Sequence, residues 1–321
     1  MSIRDLADSD LAGRIAFAVG TGRCGTQFLQ RVLATEPGVA ACHERNRINE
    51  TFHRYCQWYR LPVDKEGFLQ EKEKEIRQDL VENNFSFESS SYLSLSIPEL
   101  YDRFGAKFVM LVRRPDRVVN SLWVKGWYRE PYIQADPEKA LGYQPQPMDH
   151  HFFSRIAPMG AIFEPWNKMS RIGKIAWFWN AINLAIAEQF AKIPETHWRI
   201  VKLEDLSYNT YLELTEFMGF ESAVPEERYR EIASGRPNAL PKRYAITDWS
   251  DAEISEFEAQ VQPGAEHFGY EYRVSNLPLP SPPEAQEPAP QETNLVRGAW
   301  QKLGRKSKGI LKKLKGRALL R

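Results

Sequence analysis

The stretch Ile15-Ala-Phe-Ala-Val-Gly-Thr-Gly-Arg-Cys-Gly-Thr-Gln-Phe-Leu29 runs from an apolar strand pattern through a glycine-rich turn into a helical pattern. Glycines at 20, 22 and 25 give the backbone access to positive φ, so successive N–H groups can close on an anion. A helix starting near Thr26 directs its positive dipole end at the same point. The stretch therefore reads as a phosphate-binding loop built from Gly22, Arg23, Cys24, Gly25, Thr26 and Gln27. Its spacing, Gly20-x-x-x-x-Gly25-Thr26, is that of a nucleotide P-loop without the lysine between the last two residues. That lysine bridges the β- and γ-phosphates of a nucleoside triphosphate. Here the cation comes earlier, from Arg23, which weakens a kinase or NTPase reading and points to a donor with a different terminal group.

A second segment, Lys107-Phe-Val-Met-Leu-Val-Arg-Arg-Pro-Asp-Arg-Val-Val-Asn-Ser-Leu-Trp123, begins as a buried strand and breaks at Pro115, a residue suited to the first turn of a helix. Arg113 falls at the strand's C-terminal end. Ser121 follows eight residues on, about two helical turns away, where its hydroxyl and the Arg113 guanidinium could share one phosphate. With these two segments in this order, the chain resembles the PAPS-dependent sulfotransferases over roughly residues 13–275. That family carries a 5′-phosphosulfate loop after its first strand and a later Arg-x-Pro-x-x-x-x-x-Ser signature for the 3′-phosphate. Arg23-Cys24-Gly25-Thr26 is similar to the first, and Arg113 through Ser121 to the second. Cys24 stands where serine is usual, and Gln27 where many members have Ser or Thr; backbone contacts survive both changes. The resemblance implies an α/β fold of the P-loop-containing type, a parallel sheet flanked by helices. It also implies PAPS as co-substrate, PAP as product and no catalytic metal. Relatives close a basic loop over the 3′-phosphate late in the domain, where Lys242 and Arg243 lie; a solvated charged turn is the alternative for that pair.

Sulfuryl transfer needs a donor clamp, charge stabilisation on the leaving phosphate and a base for the acceptor. The loop and Arg23 answer the first two. For the base, Ala41-Cys42-His43-Glu44 leaves the second strand, and the pattern Pro37, Val39, an acidic residue and a following Arg is similar to the carboxylate-base branch, which includes tyrosylprotein and bacterial carbohydrate sulfotransferases. Glu44 is the favoured base and His43 the alternative, with a mere surface hydrogen bond between them as the third reading. Glu88 is a weaker acceptor-site candidate, since Phe85-Ser-Phe-Glu-Ser-Ser also fits an alternating, half-buried strand. The expected acceptor is a hydroxyl, less readily an amine, of a carbohydrate, a lipid or glycolipid, or another small molecule. A P-loop kinase using ATP and Mg²⁺, and a non-catalytic scaffold, are the competing classes.

The rest of the chain is consistent with an enzyme of this size. With 321 residues, 42% hydrophobic and 12% aromatic, it can bury one large core. It contains no apolar run of membrane-spanning length, and Met1-Ser-Ile-Arg-Asp-Leu-Ala-Asp has neither the basic start nor the apolar stretch of a signal peptide. A cytoplasmic location is expected. Cysteines 24, 42 and 56 show no metal-type spacing. Cys24, beside Arg23 at a helix start, reads either as an activated thiol or as a small side chain filling a turn.

A net charge of +1 hides an asymmetry. Residues 296–321 hold ten Lys and Arg and no acid, so residues 1–295 carry 33 basic against 42 acidic side chains. Val296, Trp300, Leu303, Ile310, Leu311 and Leu314 recur near helical period within that tail. They predict an amphipathic helix suited to an anionic membrane surface, against the alternatives of a disordered tail and, less readily, nucleic-acid binding. The proline-rich stretch 276–295 reads as an extended linker. Upstream, residues 126–166, rich in Pro, Trp, Tyr and His, are expected to form a lid or acceptor-binding insertion.

Five strand-like runs, Ile15–Val19, Val39–Cys42, Phe85–Ser89, Lys107–Val112 and Trp198–Lys202, alternate with helical patterns, which predicts a parallel sheet with helices on both faces. Ligands then belong at the strand C-terminal ends. Ile175–Ala191, with Trp177, Asn180 and Leu184 spaced by three and four, predicts a core helix.

Overall fold

The computed structural model describes residue 11 and residues 13–129, 155–235 and 246–278. Every described residue belongs to one compact unit. Lys242, Arg243, the 296–321 tail, nearly all of the linker and the middle of the 126–166 insertion lie outside the described residues.

Five strands, β1 (Ile15–Val19), β2 (Val39–His43), β3 (Phe85–Ser89), β4 (Lys107–Val112) and β5 (Trp198–Lys202), form one sheet in the order β2-β3-β1-β4-β5. All neighbours pair in parallel. The central strand β1 is buried at every residue because the sheet is covered on both faces. Ile15, Phe17 and Val19 enter one core with Phe108, Met110 and Val112. Ala16 and Ala18 enter the other with Phe87, Val109 and Leu111, as a period of two requires.

Register places the functional edge. Ala18 pairs with Ser89, and Ser89 with His43, so β1, β2 and β3 end level with one another. The residues that follow, Gly20, Ser90 and Glu44, therefore leave the sheet side by side. Two hydrogen bonds past the strand ends fix them: Ser90 N donates to Ala18 O at 2.9 Å and Glu44 N to Ser89 O at 3.0 Å. Strand β2 runs one residue beyond its apolar pattern, because His43 still pairs with Ser89.

Helices α1 (Thr26–Leu33), α2 (Arg47–Tyr59), α3 (Lys65–Glu82), α4 (Ile97–Phe104) and α5 (Pro115–Val124) connect the first four strands and continue from β4. The 20-residue helix Arg171–Phe190 packs against α4, α5 and the helix Asp251–Phe268. Its buried stripe is Ile172, Ile175, Ala176, Trp179, Ile182, Asn183 and Ile186. Trp177, Asn180 and Leu184, expected on the core face, are only half-buried and flank that stripe. Trp179 Nε1 donates to Arg113 O at 3.0 Å, so this helix fixes the backbone where β4 ends.

Candidate functional site

The loop after β1 is pressed onto the sheet. A Cβ on Gly20 would fall 2.6 Å from both Cys24 Sγ and Leu111 O, and one on Gly25 would fall 2.5 Å from Leu203 Cδ1. The backbone contact with Leu111 requires glycine at 20, and φ 101° requires it at 25. Gly25 is the N-cap of α1, and no side chain caps this helix, nor does its first turn hold an acid. Four other helices begin on side-chain caps, Asp64, Ser170, Ser207 and Ser250, whereas α2, α4 and α5, like α1, do not. The start of α1 thus offers backbone donors and a dipole to an incoming anion.

Arg23 sits in this loop at φ 60°, a conformation that strains a non-glycine residue by about 1–2 kcal/mol. Its Nε donates to Ser121 Oγ on α5 at 2.7 Å, and Arg113 donates from NH1 to Arg23 O at 3.0 Å. The three residues expected around a phosphosulfate donor do converge, in an order the sequence did not reveal: Ser121 takes Arg23, and Arg113 braces the loop backbone. Burial first, and then the charge of Arg113, hold the Arg23 guanidinium below its usual range. Arg113 is lowered by burial and by Arg117, against Glu204, which raises it. An anion bound between the two arginines would relieve this strain.

Cys24 is fully buried and its thiol is pushed up to about 11 by burial. The activated-thiol reading is overturned; the side chain fills the space under Gly20. Thr26 is buried at the first position of α1, and Gln27 is half-buried beside it.

On the other side of the edge, Glu44 has φ 50°, the second strained non-glycine residue of the site. Arg47 Nε lies 3.3 Å from Glu44 Oε2, and Ser91 Oγ donates to Glu44 Oε1 at 3.3 Å. His43 Nδ1 is 2.9 Å from Ser89 O. The same nitrogen is 2.9 Å from Ser89 Oγ, and Nε2 lies 4.0 Å from Glu44 Oε1. The two basic groups considered for proton removal are neighbours, with Glu44 gripped from two sides.

Beneath Glu44 lies a buried ion cluster. Lys72 Nζ reaches Glu50 Oε1 at 2.5 Å, Glu75 Oε2 at 2.9 Å and Glu88 Oε2 at 2.9 Å. Glu88 Oε1 also accepts from Arg45 N at 3.0 Å, next in sequence to Glu44. Burial, and then the charge of Glu50, push Glu88 up to about 8 against the pull of Lys72. Burial alone would raise Glu50 too, but Lys72 and its hydrogen bonds outweigh burial and leave it lowered. Glu88 is thus no acceptor-site residue and no half-buried strand residue: β3 is buried on both faces, and this carboxyl is part of the foundation.

Neither a protein-family model nor a curated protein sequence matches the chain. Among solved structures, the sulfotransferase STF9 from Mycobacterium avium matches 84% of this chain and 80% of its own at a TM-score of 0.53 and 10% identity. The sulfotransferase domain of the Synechococcus PCC 7002 olefin synthase matches 82% of this chain and 95% of its own, at 0.46 and 16%. That of the curacin biosynthetic pathway matches 80% and 98%, at 0.42 and 13%. The likeness to STF9 establishes the architecture: this chain has the α/β fold of a sulfotransferase domain.

Proposed function

We propose that the protein transfers a sulfuryl group from PAPS to a hydroxyl on a carbohydrate, lipid or other small-molecule acceptor. The observation that carries this reading is the convergence of Arg23, Arg113 and Ser121 beside the start of α1, with the Glu44 carboxylate at the end of β2, across β3 on the same sheet edge. In the step this supports, Glu44 accepts the acceptor's hydroxyl proton as its oxygen bonds to sulfur. The bond from sulfur to the bridging phosphate oxygen breaks, and PAP leaves with its new charge met by Arg23 and the loop N–H groups. His43, hydrogen-bonded to Ser89, is the alternative base. Lys242 and Arg243 are assigned to the 3′-phosphate by resemblance. No helix among the described residues is long and apolar enough to cross a membrane. The ten cations of 296–321 support peripheral attachment to an anionic surface, where a lipid acceptor would be found.

Thermal unfolding with PAP, with ATP plus Mg²⁺ and with AMP separates the classes. At a hundred times its dissociation constant a ligand stabilises by about 2.7 kcal/mol. A PAP-selective rise is expected. A preference for ATP with Mg²⁺ would move the chain to the kinases, and no response to any nucleotide would leave a scaffold. Glu44→Gln is expected to keep PAP binding and lose at least about a hundredfold in turnover; full activity would return the base role to His43.

A further inference from the structure

Between the donor loop and Glu44 stands a short serine-rich turn that the proposed chemistry does not use. Ser90 caps a 3-10 turn, Ser91–Leu93, by accepting from Tyr92 N at 3.2 Å, and its hydroxyl donates to Glu50 Oε2 at 2.6 Å. Ser94 closes the turn against the donor loop. Its hydroxyl accepts from Gly20 N at 3.2 Å, and its one proton is within reach of Gly20 O at 2.8 Å and Ser91 O at 2.9 Å. Arg54 NH1 also donates to Ser91 O, at 3.1 Å, and Gln189 Nε2, from the long helix, donates to Ser94 O at 2.9 Å. Ser90, Ser91, Ser94 and Arg54 are all buried. The turn is fixed from below, from the sheet and from two helices.

Its upper side faces the site. Ser91 Oγ donates to Glu44, and the same oxygen is 3.6 Å from where a Cβ on Gly22 would lie. One hydroxyl therefore touches the base and lies against the donor loop.

We propose that Ser91 and Ser94 are positioning residues that set the proton-accepting carboxylate against the donor loop: Ser94 holds Gly20, and Ser91 holds Glu44. The turn gives the two halves of the site a common reference. Glu44 needs one, because its positive φ puts it in a conformation the chain does not favour. Ser91 supplies a donor to the charged form of the carboxylate, with its own backbone immobilised by Arg54 and Ser94. The division of labour is specific. Ser91 should govern turnover with little effect on donor affinity, and Ser94 should govern donor affinity through the Gly20 backbone.

The inference rests on the sulfuryl-transfer reading, and the experiment separates the two. Wild type, Ser91→Ala, Ser91→Thr, Ser94→Ala and Glu44→Gln are compared for PAP affinity, melting temperature and rate of PAP release from PAPS, with water and with a panel of sugars, phenols and a glycolipid as acceptors. Ser91→Ala is expected to lose about tenfold in rate while PAP affinity stays within about twofold, since one hydrogen bond to a charged group is removed. Ser91→Thr, which keeps the hydroxyl, should recover most of that rate. Ser94→Ala should weaken PAP by about fivefold to tenfold. An unchanged rate in Ser91→Ala beside an inactive Glu44→Gln overturns the positioning role alone, as does an equal loss of rate and PAP affinity in Ser91→Ala. A wild-type chain that binds no PAP, or releases none from PAPS with any acceptor, overturns the transfer reading and this inference with it.

Discussion

The two ends of the candidate site use charge in opposite ways. At the donor corner, Arg23 Nε donates to a serine hydroxyl and Arg113 NH1 to a peptide carbonyl, while the charge of Glu204 acts on Arg113, and both guanidinium groups are only half-buried. At the base corner, Glu50 and Glu88 are fully enclosed and share Lys72 with the more open Glu75, so charge is answered inside the protein. The first corner keeps its cations at a half-open edge, whereas the second encloses its ions in the core. Glu44, partly accessible and restrained by Ser91 and Arg47, stands at the strand-end edge above them.

If that contrast is real, removing a partner should cost far more at the base corner. Lys72→Met keeps the aliphatic stem but strands the buried Glu50 carboxylate beside Glu88, for a loss of about 3–5 kcal/mol in unfolding free energy. Denaturant titration at neutral pH measures it. Both burial and the surrounding acids act on Lys72; burial pulls it down, but Glu88 and Glu50 outweigh that and hold it above its usual range, so it is charged throughout the accessible pH range. A loss below about 1 kcal/mol would mean that Glu50 simply takes up a proton, and the cluster would not be an ionic foundation.

A pH series sharpens the same point. Glu88 is raised to about 8 in the folded protein, above its ordinary value of 4.5. A carboxyl raised on folding binds more protons in the native than in the unfolded chain between those two values, so its contribution to stability is complete below about 4.5 and is lost as pH rises through 8. Glu50 is shifted the other way and acts only as pH falls. Glu88→Gln, a permanent neutral isostere, cannot show the alkaline loss. The wild-type melting temperature is therefore expected to fall relative to that of Glu88→Gln between pH 5 and 8, and a constant difference across this range would count against the protonated carboxyl.

Most of the architecture was legible because its strands are short and bounded by turn residues, with β1 and β4 apolar almost throughout; the five runs read from sequence match the five strands, β2 running one residue further. The donor corner was legible for a related reason: glycine spacing and the Arg113-to-Ser121 interval are local patterns. The long helix was placed, but its buried face was read one step off, since Trp177 and Leu184 pack from the flank while Trp179 enters the core. The foundation was not legible. Lys72 joins Glu50 and Glu88 across 22 and 16 positions, and only the paired ends of β2 and β3, with α3 laid over them, bring these together. Ser91 and Ser94 were hidden likewise. A run of serines leaving a strand reads as a loop, and its contacts with Gly20 and Glu44 follow from the register of three strands. The pairing of Ser121 with Arg23 rather than Arg113 depends on the left-handed turn at Arg23, which no spacing specifies.

The smallest effect is expected at the donor corner itself. Ser121→Ala removes the hydroxyl that accepts from Arg23 Nε at 2.7 Å and leaves the guanidinium in a half-open cleft where water can replace it. The net worth of such a bond is about 0.5–1.5 kcal/mol. Unfolding stability should then change little, while PAP affinity falls by about threefold to tenfold, because Ser121 both aims Arg23 and stands two helical turns from the Arg113 strand end. Calorimetric titration with PAP and a parallel denaturant curve give the two numbers. A large loss of stability with intact PAP binding would make Ser121 a structural brace of the same kind as Lys72, and the distinction between a corner left open for a ligand and a corner closed on itself would fail at its donor end.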